Sequence, residues 1–474
     1  MTDIGFVFDP KSVAIIGVSS NADSLTNRNF LRPLLECNYQ GKVYPVNPHV
    51  SEVMGLKAYP SILDIPDPVD NAVCAVPAPL TPKVVHDCAT AKVKVVTCFT
   101  AGFKETGEED GLGLETQLVE IARRGGVRLI GPNCLGIHNP RIGVTFEAGG
   151  SRRAGNVGFM SQSGGNSREF ILVGAQRGIF FSKGVSYGNA ADLNEMDFLR
   201  YFAHDDDTKI IAGYIEGTKE PQRFLQLLRE TTQRKPVIIL KGGRTEAGTR
   251  AVMSHTSSLA GNREMWDVLC RQGRAIQVSN LAEMADVVLA FSYLKPPGGR
   301  RIGIIGIGGG ASVQAADDCE YAGLVVPPFP LHVRQNLRRF TPLAGTGLLN
   351  PVDTSADVYW DPDLFGKTAK VIADYDGVDA ILVMFATVQA ARRGVGALRH
   401  QIDAVIGVGR NTDKPLAIVL FTAGMLEAEK MACEVQGQCL EAGFPVYPSI
   451  SRAARAVSHL VSYGESQGLR TSDK

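Results

Sequence analysis

The hydrophobic positions of this chain fall into short continuous runs of four to eight residues, separated by stretches with helical spacing of apolar side chains. Unbroken apolar runs of that length between helices predict strands buried on both faces of a parallel sheet. In the first third the runs are Ser12–Gly17, Lys42–Val46, Ala72–Val76, Lys94–Phe99 and Val127–Ile130, with helix-like stretches such as Arg28–Cys37 and Glu115–Arg124 between them. The middle third repeats the plan with Asn156–Met160, Phe180–Val185, Ile210–Glu216, Val237–Lys241 and Ala275–Val278. The last third gives Arg301–Ile305, Leu324–Val326, Ala380–Phe385, Leu416–Leu420 and Pro445–Tyr447. Alternating β and α units of this kind predict α/β doubly wound domains. The segment KPPGGRR at 295–301 cannot continue a helix and reads as a linker. The expectation is three α/β domains, at 1–140, 141–296 and 297–474, the first Rossmann-like and the other two flavodoxin-like.

Composition narrows the classes of partner. With 49 Lys+Arg against 49 Asp+Glu in 474 residues, the chain has no charge excess to attract nucleic acid or an anionic membrane. No apolar run approaches a membrane span, and the start MTDIGFVFDPKS lacks the layout of a signal peptide. Nine cysteines without a Cys-x-x-Cys pair suggest neither a disulfide framework nor a zinc site. A cytoplasmic protein with reduced thiols is expected. The 51 glycines exceed the usual share of about 7% and direct attention to the loops.

In open α/β sheets, ligands bind beyond the carboxyl ends of the strands. The first strand runs into GVSSNADS from Gly17, where a dinucleotide-type ligand sets its phosphates, but the full G-x-G-x-x-G fingerprint is absent. PVNP at 45–48, VPAP at 76–79, FTAGF at 99–103 and GPNCLG at 131–136 reach the same edge if the sheet is parallel. In the second block SQSGGNS, 161–167, precedes a helix expected to start near Ser167. Its hydroxyls and paired glycines suit a phosphate or carboxylate, or else an ordinary helix cap at Ser163 or Asn166.

His255 stands apart from the seven other histidines because Ser254, Thr256, Ser257 and Ser258 surround it between Gly-rich flanks. Such a segment buries little and offers many phosphate-compatible donors. Neutral imidazole can attack phosphorus, and its other nitrogen then needs a carboxylate to fix the tautomer. Glu216, at the end of IIAGYIE, is the candidate. A solvated or structural histidine is the competing reading of the same residues.

GRTEAGTRAVMSHTSSLAG, with GPNCLG, GFMSQSGGN, YGNAADL (187–193) and YIEG (214–217), resembles the ADP-forming acyl-CoA synthetases, relatives of succinyl-CoA synthetase. VAIIGVSS, KVYPVNP, AVPA and FTAGF are similar to that family's CoA-binding domain, and NPVDT at 350–354 to its last α/β domain. The resemblance implies that His255 is the phosphorylated histidine and Glu216 the carboxylate that orients it. It implies that Ser163, Gly164 and Gly165 open the helix whose amide end holds the phosphoryl group, with Asn133 nearby. Coenzyme A would lie across Gly17, Val18 and Ser19, Asn47 and Pro48, Val76 and Pro77, and Thr100, Ala101 and Gly102. Family members phosphorylate the histidine with an ATP-grasp module, for which these 474 residues leave no room. The expectation is therefore a CoA-binding subunit of an acid–CoA ligase, hetero-oligomeric, with ATP and Mg²⁺ on an ATP-grasp partner subunit and a small carboxylic acid as substrate.

Two other readings compete. One is a catalytically inactive acyl-CoA-binding regulatory protein, against which the retained His255 and Glu216 argue. The other is an oxidoreductase built on the first domain, against which the incomplete glycine fingerprint argues.

Overall fold

The computed structural model describes residues 4–256 (side chains to 252), 263–306, 308–341, 347–354, 361, 363–392 and 394–468. The chain divides into two compact units, Met1–Met284 and Ala285–Lys474. The first unit holds two large sheets and the second holds one.

The strands of the first sheet are β1 (Ser12–Ile16), β2 (Lys42–Val46), β5 (Asn71–Cys74), β6 (Val95–Cys98) and β7 (Arg128–Ile130). A two-stranded hairpin, β3 (Glu52–Val53) and β4 (Leu56–Lys57), sits within the crossover from β2 to β5. The sheet order is β2-β1-β5-β6-β7, parallel throughout. This 2-1-3-4-5 winding is a doubly wound, Rossmann-like sheet, as expected, with its switch point between β1 and β5. Every residue of β1, β5 and β6 is buried, which is why these strands read as unbroken apolar runs. The helix Glu109–Gly125 begins on Glu109 and Asp110, ends on Arg123 and Arg124, and closes at Gly126 with φ 71°. Those charges complement the helix dipole, and its Leu118 and Ala122 join the apolar layer on the sheet.

The second sheet contains β8 (Gly136–His138), β9 (Val157–Ser161), β10 (Phe181–Ser186), β11 (Ile210–Ile215), β12 (Val237–Lys241) and β13 (Ile276–Val278). Its order is β13-β12-β11-β9-β10-β8, with β8 alone antiparallel. Without β8 the winding is again 2-1-3-4-5. The sequence pattern missed β8 because its one apolar residue, Ile137, stands between a glycine and a histidine and forms no run. The third sheet, in the second unit, has β14 (Ile302–Gly306), β15 (Val352–Asp353), β16 (Ala380–Ala386), β17 (Leu416–Phe421) and β18 (Val446–Tyr447), ordered β15-β14-β16-β17-β18 and parallel. Here the expectation at Leu324–Val326 fails. Val325 makes only an isolated bridge to Arg301, and the place beside β14 belongs to Val352–Asp353. The paired prolines after Val326 cannot donate to a ladder, so a strand cannot continue there.

Candidate functional site

At the carboxyl edge of the first sheet the strand order reverses between β1 and β5, and four loops gather there. Gly17 follows β1 with φ +97°, and a Cβ on it would lie 2.7 Å from the Ala75 carbonyl oxygen, so only glycine fits where β1 and β5 part. Val18 is buried and contributes its carbonyl, which accepts from Asn47 Nδ2 at 2.6 Å. Thr100 Oγ1 donates to the Val76 carbonyl at 2.6 Å, tying the ends of β6 and β5 together. Gly102 donates its N–H to Glu105 Oε1 at 2.6 Å. Pro48, Pro77 and Ala101 are exposed on the rim, while Ser19, Asn47, Val76, Thr100 and Gly102 are half-buried. All ten sequence-predicted residues of this group therefore lie on one sheet edge.

A residue the sequence did not single out organises the first loop. Asn27 is fully buried, and its Nδ2 donates to the carbonyls of Ser19 at 2.7 Å and Asn21 at 2.9 Å. Its Oδ1 accepts the Ser19 N–H at 3.3 Å. The amide side chain thus folds the loop that lacks the later glycines of a dinucleotide fingerprint. No spacing rule marks an asparagine as a brace of this kind.

The second group of predicted residues collects at the carboxyl edge of the second sheet. Ser163 caps the helix Gly164–Arg177, its Oγ accepting the Asn166 N–H at 3.3 Å. The helix begins at Gly164, three residues before the expected start, because Ser161 Oγ and Ser163 complete the cap as soon as β9 ends. Gly164 and Gly165 are its first residues, leaving backbone N–H groups directed off the sheet edge. Asn133, at φ +59° after the cis Gly131–Pro132 bond, donates its N–H to the Thr100 carbonyl at 3.0 Å. The Pro132 carbonyl accepts from Asn189, and Leu135 N–H donates to Ser186 Oγ at 3.1 Å. The Asn133 loop therefore stitches the carboxyl edge of the first sheet to the strand ends of the second. Cys134 beside it is buried, with Sγ 3.4 Å from the Cys98 and Ile130 carbonyls, and burial pushes its thiol up to about 12. Such a thiol is no nucleophile at neutral pH.

Glu216 follows β11 directly and is 4% exposed. Gln162 Oε1 accepts the backbone N–H of Glu216 and that of Gly217, the latter at 3.1 Å. Lys241 Nζ, also buried, donates to the carbonyl of Glu216 at 2.7 Å and to that of Gly242. It lies 5.3 Å from the Trp266 ring centroid. Burial pulls this ammonium down to about 8, while the Glu216 charge acts in the opposite sense. Tyr214 Oη donates to Glu216 Oε1 at 3.1 Å, and Glu216 Oε2 is buried without a hydrogen-bond partner among the described residues. Burial first, then the Glu216 carboxylate, raises the Tyr214 phenol, so it remains a donor. Gln162, Tyr214 and Lys241 lie inside motifs the sequence displayed, yet only the fold shows that all three meet Glu216.

His255 is the penultimate residue of the helix Glu246–Thr256, and its side chain lies outside the described residues. That helix packs on the one-turn helix Lys104–Thr106, which Phe103 separates from Gly102.

Comparison with known proteins agrees with this layout. Residues 11–140 match a family described as CoA binding domain, and residues 154–291 match the succinyl-CoA ligase like flavodoxin domain. Over 472 residues the chain is 36% identical to the α subunit of acetate–CoA ligase [ADP-forming] II from Pyrococcus furiosus, covering 98% of this chain and 99% of that one. The chain belongs to the ADP-forming acyl-CoA synthetase family. It is also 35% identical to acetate–CoA ligase [ADP-forming] I of Archaeoglobus fulgidus, where it covers 97% of this chain but spans 63% of that protein's length. Among solved structures, the dinucleotide forming acetyl-coenzyme A synthetase 1 of Ca. Korarchaeum cryptofilum, in complex with phosphate and ADP, superposes with a TM-score of 0.83 at 31% identity, covering all of both chains. Family membership accounts for the α/β architecture and for the resemblance in the loop motifs. Relatives in this family are thus named as α subunits of nearly the same length, or are longer than this chain. Among the described residues no helix is long and apolar enough to cross a membrane, and no cluster of side chains suits a metal ion.

Proposed function

We propose that this chain is the CoA-binding subunit of an ADP-forming acid–CoA ligase, working through a phosphorylated His255. The observation that carries the reading is Glu216: a buried carboxylate at a strand end, beside the capped amide end of Gly164–Arg177, with one oxygen held and the other open. A carboxylate so placed suits an imidazole nitrogen, fixing its tautomer and offsetting the positive charge that develops when the other nitrogen attacks phosphorus. Ser163, Gly164 and Gly165 supply N–H groups for the phosphoryl oxygens, with Asn133 alongside.

In the forward direction the terminal phosphoryl group of ATP passes to His255, and ADP leaves. A carboxylate oxygen of the acid attacks the phosphorus, the phosphorus–nitrogen bond breaks, and an acyl phosphate forms. The thiolate of CoA attacks the acyl carbon and phosphate departs, leaving the thioester. CoA lies across Gly17–Ser19, Asn47–Pro48, Val76–Pro77 and Thr100–Gly102, which the Asn133 loop joins to the phosphate site. ATP and Mg²⁺ sit on an ATP-grasp partner subunit, in keeping with relatives named as α subunits. The enzyme is a cytoplasmic hetero-oligomer with three domains, 1–140, 141–296 and 297–474.

The test is an intact mass at alkaline pH of the chain recovered with its native partner and supplied with Mg-ATP. The expected result is one added phosphoryl group that acid removes and that His255→Ala prevents. No gain with an active ATP-grasp partner present would favour the CoA-binding regulatory reading instead.

A further inference from the structure

The surroundings of Glu216 contain more than a carboxylate needs in order to be buried. Three side chains from three strand ends converge on that one residue: Gln162 after β9, Tyr214 within β11 and Lys241 at the end of β12. Each takes a different atom. Gln162 Oε1 holds the backbone N–H groups of Glu216 and Gly217, Lys241 Nζ holds the Glu216 carbonyl, and Tyr214 Oη holds Oε1. Among the described residues, the side-chain oxygen Oε2 is the acceptor left over.

We propose that Tyr214 and Lys241 are positioning residues that present Glu216 through a single oxygen, Oε2, toward the phosphoryl-carrying group; this rests on the role of Glu216 proposed above. A free carboxylate is a two-oxygen acceptor that rotates about its terminal bond. An anchored one has a single direction in which it accepts a hydrogen bond. Tyr214 is also tied to the helix end, because its carbonyl accepts the Gln162 N–H at 3.1 Å, two residues before Gly164. The orientation of the carboxylate is thereby referred to the amide groups that face the phosphoryl oxygens. Lys241 joins the Glu216 turn to Gly242, the residue that opens the segment leading to the helix Glu246–Thr256. Gly242 must be glycine for this geometry, since a Cβ there would lie 2.5 Å from Tyr214 Oη and 3.1 Å from Glu216 Cγ. Its only substituent-free face is thus occupied by the hydroxyl that anchors the carboxylate. Burying an ammonium on the same turn is costly unless its donors are used, and two of its three go to these carbonyls.

The experiment uses the full chain with its native ATP-grasp partner and measures acid-labile phosphorylation from Mg-ATP together with the CoA dissociation constant. Tyr214→Phe keeps the ring and removes only the anchor. It is expected to slow phosphorylation by about tenfold, the scale of one hydrogen bond to a charged group, and to leave CoA affinity unchanged. Lys241→Met is expected to act in the same direction. A positioning residue acts only through Glu216, so in a Glu216→Gln background Tyr214→Phe should add less than about twofold. A tenfold loss that persists in that background would assign Tyr214 a structural role and overturn the proposal. So would wild-type phosphorylation in Tyr214→Phe while Glu216→Gln is slow, with the Glu216 assignment still standing. A Glu216→Gln variant that phosphorylates at the wild-type rate would instead remove Glu216 itself.

Discussion

The first and second sheets share one winding, yet the turns that leave their first parallel strands differ. After β1 the chain travels from Gly17 to Thr26 before a π-type turn begins at Asn27, and the intervening loop is folded by the Asn27 side chain. After β9 only Gln162 and Ser163 intervene before the helix. The long loop spreads backbone groups along a rim of prolines and small residues, which suits an extended ligand. The short one brings a helix N-terminus directly onto the sheet edge, which suits a compact anion. Topology alone therefore does not choose the ligand at a switch point. Loop length and what braces it do.

That contrast can be broken at either end. Glu216→Gln bears on the compact site and should carry the largest effect, a loss of about 10²-fold or more in phosphoryl transfer. CoA affinity should stay within experimental error, measured by calorimetric titration. Equal losses of both would mean that the two edges are not separate sites. Asn27→Ala bears on the extended loop. Removing three hydrogen bonds from a fully buried amide should weaken CoA binding by about tenfold, with the yield of phosphohistidine from Mg-ATP unchanged. Unaltered CoA affinity would show that the loop holds its path without the brace. The smallest effect is expected where the two edges meet. Cys134→Ser should leave turnover within about twofold, since a thiol pushed up to about 12 by burial supplies no thiolate. Complete loss of turnover in that variant would make Cys134 a participant.

Much of this was legible from the residues themselves. Strands buried on both faces are mostly apolar, so β1, β6, β12 and β16 stand out as runs. Their spacing gives the doubly wound class, and the loop motifs carry the family. Short elements escaped. β8 and β15 hold one apolar residue each and so form no run, and the apolar stretch 324–326 imitated a strand although it meets β14 only through the Val325–Arg301 bridge. The helix at Gly164 began earlier than its glycines suggested, since a cap depends on which hydroxyl faces the free amides.

The residues with candidate chemistry divide in the same way. His255, Glu216, Ser163 and the glycine-bearing strand ends are recognisable by type and motif, because phosphoryl chemistry and close backbone approach admit few residues. That Gln162, Tyr214 and Lys241 converge on Glu216, or that Asn27 folds the loop after Gly17, has no linear signature. Two of those contacts, Gln162–Glu216 and Lys241–Glu216, join positions 54 and 25 residues apart across neighbouring strand ends. The sequence by itself determined the alternation of buried strands and helices, since burial on both faces makes most positions of a strand apolar. Only the tertiary structure decided which oxygen of Glu216 is held and which is open, because that choice is made where separate strands end side by side.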